Sequence, residues 1–115
     1  MLIAHSQPFL NKKEINLITK VIKSKYIASG KYVAHFEKQL AFLLKVKYAC
    51  AVSSGTSALH LALLSLKIKA GDEVIIPAYT CIALLNTVLY CNAKPVIADI
   101  GEDFNLSAED LQNKI

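Results

Sequence analysis

Five consecutive residues, Ser53-Ser54-Gly55-Thr56-Ser57, are the part of this sequence best suited to chemistry. They follow an apolar run, Tyr48-Ala49-Cys50-Ala51-Val52, and lead into an alanine- and leucine-rich stretch, Thr56 to Leu66. The run reads as a buried strand. The stretch reads as a helix that is apolar nearly all round, as one covered on more than one side should be. At such a junction the first helical amides point outward without partners, and the positive end of the helix dipole favours an anion. Gly55 removes the side chain that would block close approach, while Thr56 and Ser57 can add hydroxyl donors. A phosphate is the natural guest. Serine and threonine also suit a plain N-cap turn, and local pattern leaves both readings open. No lysine follows the glycine as in a Walker loop, and the GxGxxG spacing of a dinucleotide fingerprint is absent.

Other polar residues nearby are weaker candidates. His60, four residues beyond Thr56, reads as a histidine packed between helices. Tyr79 and Asn86 could line a pocket. The three cysteines, Cys50, Cys81 and Cys91, are odd in number, form no CxxC pair and sit inside apolar runs. They are expected to behave as small hydrophobes in a reducing compartment, and no metal site is expected.

The elements that must position these residues are marked off by sparse punctuation, four glycines and three prolines in 115 residues. Ile15, Leu17, Ile18, Val21 and Ile22 recur at helical spacing, with Asn11 as N-cap and Glu14 three residues on, the pattern of a capping box. The stretch Tyr26 to Gly30 breaks that period. Val33, Phe36, Leu40, Leu43 and Leu44 then resume it as a second helix. After the phosphate-type turn and its helix, Lys69-Ala70-Gly71-Asp72 reverses the chain. Glu73-Val74-Ile75-Ile76 reads as a strand closed by Pro77. Tyr79 to Tyr90 reads as a helix and Lys94 to Ile100 as a further strand. Ser107 to Ile115 reads as a final helix, with Ser107 as N-cap and Asp110 in its first turn. Two helices followed by strand, helix, strand, helix, strand, helix imply an α/β chain with a parallel sheet.

Composition narrows the function classes. Apolar residues make up 54% and charged residues 19%, which favours a packed core over disorder. The thirteen basic residues are all lysine and the formal net charge is +4. Base-edge readout commonly uses the guanidinium fork, so a nucleic-acid partner is not expected; the lysines suit a solvated surface with a mild attraction for anions. No apolar stretch is long enough to span a bilayer and no leader pattern opens the chain, so a cytoplasmic protein with no membrane partner is expected.

Three ordered motifs then make a resemblance specific. Ser53 to Leu63, Gly71-Asp72-Glu73-Val74-Ile75-Ile76-Pro77-Ala78-Tyr79-Thr80 and Pro95-Val96-Ile97-Ala98-Asp99-Ile100 resemble the DegT/DnrJ/EryC1/StrS aminotransferases. Ile27-Ala28-Ser29-Gly30-Lys31, Phe36-Glu37 and Asn105-Leu106-Ser107 extend the likeness over almost the whole chain. The resemblance implies the amino-terminal part of the fold type I large domain, a three-layer αβα sandwich, preceded by two helices. Residues 1–115 would form one incomplete domain, with helices over 1–45 and the first βα units over 46–115. It also implies a larger sheet, in which the run at Ala49 to Val52 and the strand at Val74 to Ile76 are not neighbours.

The implied activity is transfer of an amino group, from a donor such as glutamate, to a keto group on a nucleotide-linked sugar, with pyridoxal 5'-phosphate as electron sink. A homodimer is implied for the complete enzyme. Gly55, Thr56 and Ser57 match the turn that holds the cofactor phosphate. Cys81 matches the position where many members place an aromatic ring against the pyridine; a thiol offers less stacking area, and an ordinary core-facing helix residue is the alternative. Asp99 does not match the carboxylate that pairs with the ring nitrogen, which belongs to a later strand. None of the lysines matches the motif of the Schiff-base lysine, so the 115 residues alone are expected to be inactive. The rival expectations are a non-catalytic phosphate- or nucleotide-binding module, or an interaction fragment that pairs with a full-length homologue.

Overall fold

The structure, a computed structural model, describes residues 6–115, which divide into two compact units, one ending at Ala51 and the other running from Val52 to Ile115. The first unit contains α1 (Lys12–Lys23) and α2 (Lys31–Leu43). The capping box forms as its sequence predicts. The Asn11 side chain accepts the Lys13 N–H at 2.8 Å, and Glu14 accepts the Asn11 N–H at 2.7 Å. Such a cap stabilises a helix start by about 1 kcal/mol. In the link between the helices the Tyr26 hydroxyl donates to the Ser29 carbonyl at 3.3 Å. The Tyr26 ring lies so close to Gly30 that a Cβ there would collide with it.

The second unit contains α3 (Gly55–Ser65), β1 (Glu73–Pro77), α4 (Ile82–Tyr90), β2 (Lys94–Ala98) and α5 (Ala108–Lys114). β1 and β2 pair in parallel, with Glu73 opposite Lys94 and Pro77 opposite Ala98, and α4 is the crossover. A Lys94–Glu73 ion pair at 2.6 Å spans their exposed start. Ile76, Val88, Cys91 and Ala93 form the core, with Leu63, Ile68, Val74, Leu84 and Leu85 packed against it. Buried Thr87 is satisfied by donating to the Leu84 carbonyl at 2.8 Å. α3 and both strands pack on α4, and α5 packs on β2.

Four helices end on a residue with left-handed backbone: Lys25, Lys45, Lys67 and Asn92. After α2, α3 and α4 the two bonds of a Schellman motif are both present. Val46 donates to Ala41 and Lys45 to Phe42; Ile68 to Leu63 and Lys67 to Leu64; Ala93 to Val88 and Asn92 to Leu89. The second and third of these motifs place Ile68 and Ala93 against the core that their own helices build.

Several expectations need correction. Tyr48 to Val52 joins no ladder and is not buried; instead the Ala51 N–H is taken by the Glu37 carboxylate at 2.9 Å, which ties this run to α2. The helix expected from Tyr79 begins at Ile82, because the Ala78 N–H still donates to Ala98 at 2.7 Å and Cys81 remains extended. The strand expected to reach Ile100 stops at Ala98, since both main-chain groups of Asp99 turn to the start of α5. Of the cysteines only Cys91 is buried. α3 is covered along one side, leaving Leu59, Leu61 and Leu64 exposed.

Candidate functional site

The turn before α3 is built by its serines. Ser54 is the N-cap, in extended backbone, and its hydroxyl accepts the Ser57 N–H at 3.1 Å. The Ser54 and Ser57 hydroxyls are 3.0 Å apart, and Ser53 stands 3.5 Å from Ser57. The Ala58 N–H makes the first intrahelical bond, to Ser54 at 3.1 Å. No acceptor among the described residues takes the N–H of Gly55 or Thr56. Two amides at the positive end of an eleven-residue helix therefore point outward, flanked by three hydroxyls.

The space in front of them is open. A Cβ built on Gly55 would meet nothing within 4 Å. Two unpartnered amides with hydroxyls beside them are the donor set a phosphate takes, and no protein atom crowds the Cβ position of Gly55, so these residues fit the phosphate of a cofactor. The structure thus brings Gly55, Thr56 and Ser57 together at one helix start, with the Ser57 amide already engaged by Ser54. Ser54 is the residue the sequence left without a role of its own, although an N-cap serine three residues before another hydroxyl is a readable signal.

The remaining candidates are placed less tightly. Cys81 is exposed and stands at the N-cap of α4, so it is not a core-facing helix residue. His60 packs edge-on against Tyr90 with ring centroids 5.6 Å apart, as a histidine between helices should. The Asp99 carboxylate accepts the neighbouring Ile100 N–H at 2.8 Å, a local cap at the end of β2. Asn86 is half-buried on α4. Tyr79 is exposed, and its ring meets Phe104 at 5.9 Å. That pairing had no sequence signal, because the two residues lie on separate loops after β1 and β2. Phe104 is held there by a tight turn in which the side-chain and backbone N–H groups of Asn105 donate to Asp103. Those bonds hold the Asp103 carboxyl below its ordinary range.

A concavity of about 580 Å³ lies elsewhere, in the first unit, lined by Val21, Tyr26, Ile27, Lys31 and Tyr32 among others. It shares no residue with the α3 turn.

A parallel βαβ unit, preceded by a helix whose first two amides have no partner among the described residues, defines an α/β protein. The family model described as DegT/DnrJ/EryC1/StrS aminotransferase matches residues 8–115, and the chain belongs to that family. It is 46% identical to GDP-perosamine synthase of Vibrio cholerae over 111 residues, which is 95% of this chain and 30% of that protein. It is 40% identical to the spore coat polysaccharide biosynthesis protein SpsC of Bacillus subtilis, covering 88% of this chain and 26% of the relative. Among solved structures, a Streptococcus pneumoniae protein named as a possible sugar aminotransferase, in its PLP form, superposes with a TM-score of 0.92 and 31% identity. That match covers 98% of this chain and 29% of the other. The same protein has also been solved in its PMP form. The chain thus spans about 30% of the length of the curated relatives it matches. Among the described residues no helix is long and apolar enough to cross a membrane.

Proposed function

We propose that this chain is the cofactor-phosphate-holding part of a pyridoxal-phosphate-dependent aminotransferase acting on a nucleotide-linked keto-sugar. The observation that carries the reading is the pair of unclaimed amides, Gly55 and Thr56, behind open space at the start of α3. When bound, pyridoxal phosphate supplies the electron sink for amino transfer. Gly55 and Thr56 donate main-chain hydrogen bonds to its phosphate, with the Thr56 and Ser57 hydroxyls beside them. Ser54 holds Ser57 in place. Cys81, exposed at the start of α4, lies against the ring in this reading and contributes contact area rather than stacking.

Family membership supports the substrate class, as does the resemblance to GDP-perosamine synthases and to a polysaccharide biosynthesis protein. Glutamate as amino donor and a homodimeric complete enzyme belong to the same proposal, as does a domain whose helices occupy 1–45 and whose first βα units occupy 46–115. The 115 residues alone bind without transferring an amino group, because none of their lysines stands in the family's reactive-lysine motif.

The test compares pyridoxamine phosphate with pyridoxamine by equilibrium dialysis against the full chain. Neither carries an aldehyde, so adducts with surface lysines do not interfere. Retention of the phosphorylated form, at least about tenfold tighter than the other, is expected. Equal affinity for the two would refute the phosphate role of the α3 turn.

A further inference from the structure

The two units carry opposite charge. Residues 6–51 hold nine lysines against two glutamates, whereas 52–115 hold four lysines against seven acidic residues. Anions are therefore drawn to the first unit. The concavity of about 580 Å³ described above lies in that unit, and none of the residues lining it is acidic. Small-molecule sites commonly enclose about 300–1,000 Å³ behind apolar and aromatic walls with a few polar groups. Val21, Ile27, Val33, Tyr26 and Tyr32 supply such walls here, and Lys31 supplies a cation.

The sequence builds this hollow at the start of α2. Gly30 admits the Tyr26 ring, which would collide with a Cβ at that position, and the Tyr26 hydroxyl is tied to the Ser29 carbonyl at 3.3 Å. Lys31 and Tyr32 are the first two residues of the helix. The Lys31 ammonium stands 5.4 Å from the Tyr32 ring centroid, a cation–π contact that restrains both side chains, and it forms no ion pair among the described residues. The first intrahelical bond runs from the Ala34 N–H to Gly30 at 3.0 Å, so the N–H groups of Lys31 and Tyr32 also have no acceptor among the described residues. Two aromatic walls beside an unpaired ammonium suit a flat ring joined to an anion.

We propose that this concavity binds a nucleoside diphosphate, with Tyr26 and Tyr32 against the base and the Lys31 ammonium against the phosphates. Bases of any kind present a face to tyrosine, and lysine serves phosphate as a point charge. The choice of a nucleotide rests on the nucleotide-linked substrate proposed above, for which this is a place to hold the carrier. The cavity itself stands apart from the cofactor reading, since it shares no residue with the α3 turn.

GDP is the probe, in equilibrium dialysis against the full chain, with guanosine for comparison. Lys31→Met removes the ammonium in the cavity. Lys47→Met is the control: it removes one equal charge, from a lysine that stands 5.2 Å from the Tyr48 ring centroid and does not line the concavity. GDP is expected to bind about tenfold or more tighter than guanosine, to lose about tenfold with Lys31→Met, and to stay within about twofold with Lys47→Met. Saturating pyridoxamine phosphate should leave GDP affinity within about twofold, whether or not it binds at the α3 turn. No binding of GDP, equal affinity for guanosine, equal losses in the two variants, or displacement by pyridoxamine phosphate would overturn the assignment. Circular dichroism verifies folding of each variant. If Lys31→Met does not fold, amide resonances of the unaltered chain decide. GDP should shift those of Tyr26, Lys31 and Tyr32 and leave Gly55 and Thr56 in place, and the reverse pattern or uniform small shifts overturn the proposal.

Discussion

Ser54 holds Ser57 by two contacts at once, accepting its N–H at 3.1 Å and standing 3.0 Å from its hydroxyl. The cap thereby removes one amide from the set available to an anion and leaves Gly55 and Thr56 as the free main-chain donors. Helix capping and the phosphate recognition proposed above fall on neighbouring residues of one turn, so substitution can test them separately.

Gly55→Ala tests recognition alone. Its Cβ would meet no protein atom, so stability stays within about 1 kcal/mol of the unaltered chain. The same methyl occupies the approach to the two amides. Pyridoxamine phosphate affinity is expected to fall about tenfold, or about 1.4 kcal/mol. Dialysis and a thermal melt on the same sample check both halves.

Ser54→Asp tests the division of labour from the other side. An aspartate caps a helix as well as a serine does, whereas Ser54→Ala costs about 1 kcal/mol. The melt should therefore show Ser54→Asp near the unaltered chain and Ser54→Ala below it. Phosphate affinity should order the other way, with the carboxylate repelling the anion and Ser54→Ala binding better than Ser54→Asp.

Val88 is 1% exposed at the centre of the small core of the second unit. Val88→Ala removes two buried methyls and leaves a void, for a cost of about 2 kcal/mol. Leu66→Ala, at a residue 71% exposed, should change stability by less than about 0.5 kcal/mol. Urea unfolding followed by circular dichroism distinguishes the two.

Asp103 gives a pH prediction with a fixed sign. Donation from the Asn105 side chain, and then from its backbone, lowers the folded pKa below the ordinary 3.8. The contribution to the turn is therefore present above the unfolded value and lost as pH falls through the folded one. The Asn105 amide resonance should titrate with a midpoint below 3.8, and Asp103→Asn should abolish that titration. A midpoint at or above the ordinary value would contradict the bonding.

Helix periodicity, the Asn11 cap, the Ser107 cap and the two paired strands were legible because each is set by neighbours in sequence. The helix start after Ser54 was legible for the same reason. The run at Tyr48 to Val52 was misread because β-propensity describes a fit to a pleated surface, and here Glu37, fourteen residues away, claims the Ala51 amide instead. The start of α4 was misread because tertiary pairing of Ala78 with Ala98 keeps the chain extended past Pro77. The contact of Tyr79 with Phe104 depends on two strands lying side by side, which spacing does not report.

The left-handed residues that finish the helices bear on the lysine surplus. Glycine is the usual choice at that position, yet Lys25, Lys45 and Lys67 occupy three such sites, each just beyond the electronegative end of a helix. The ammonium groups favour that end, offsetting some of the strain that a side chain brings to positive φ. Nearly a quarter of the basic residues are thus stop signals for helices. Replacing them with glycine would move the protein toward neutrality with little loss of architecture.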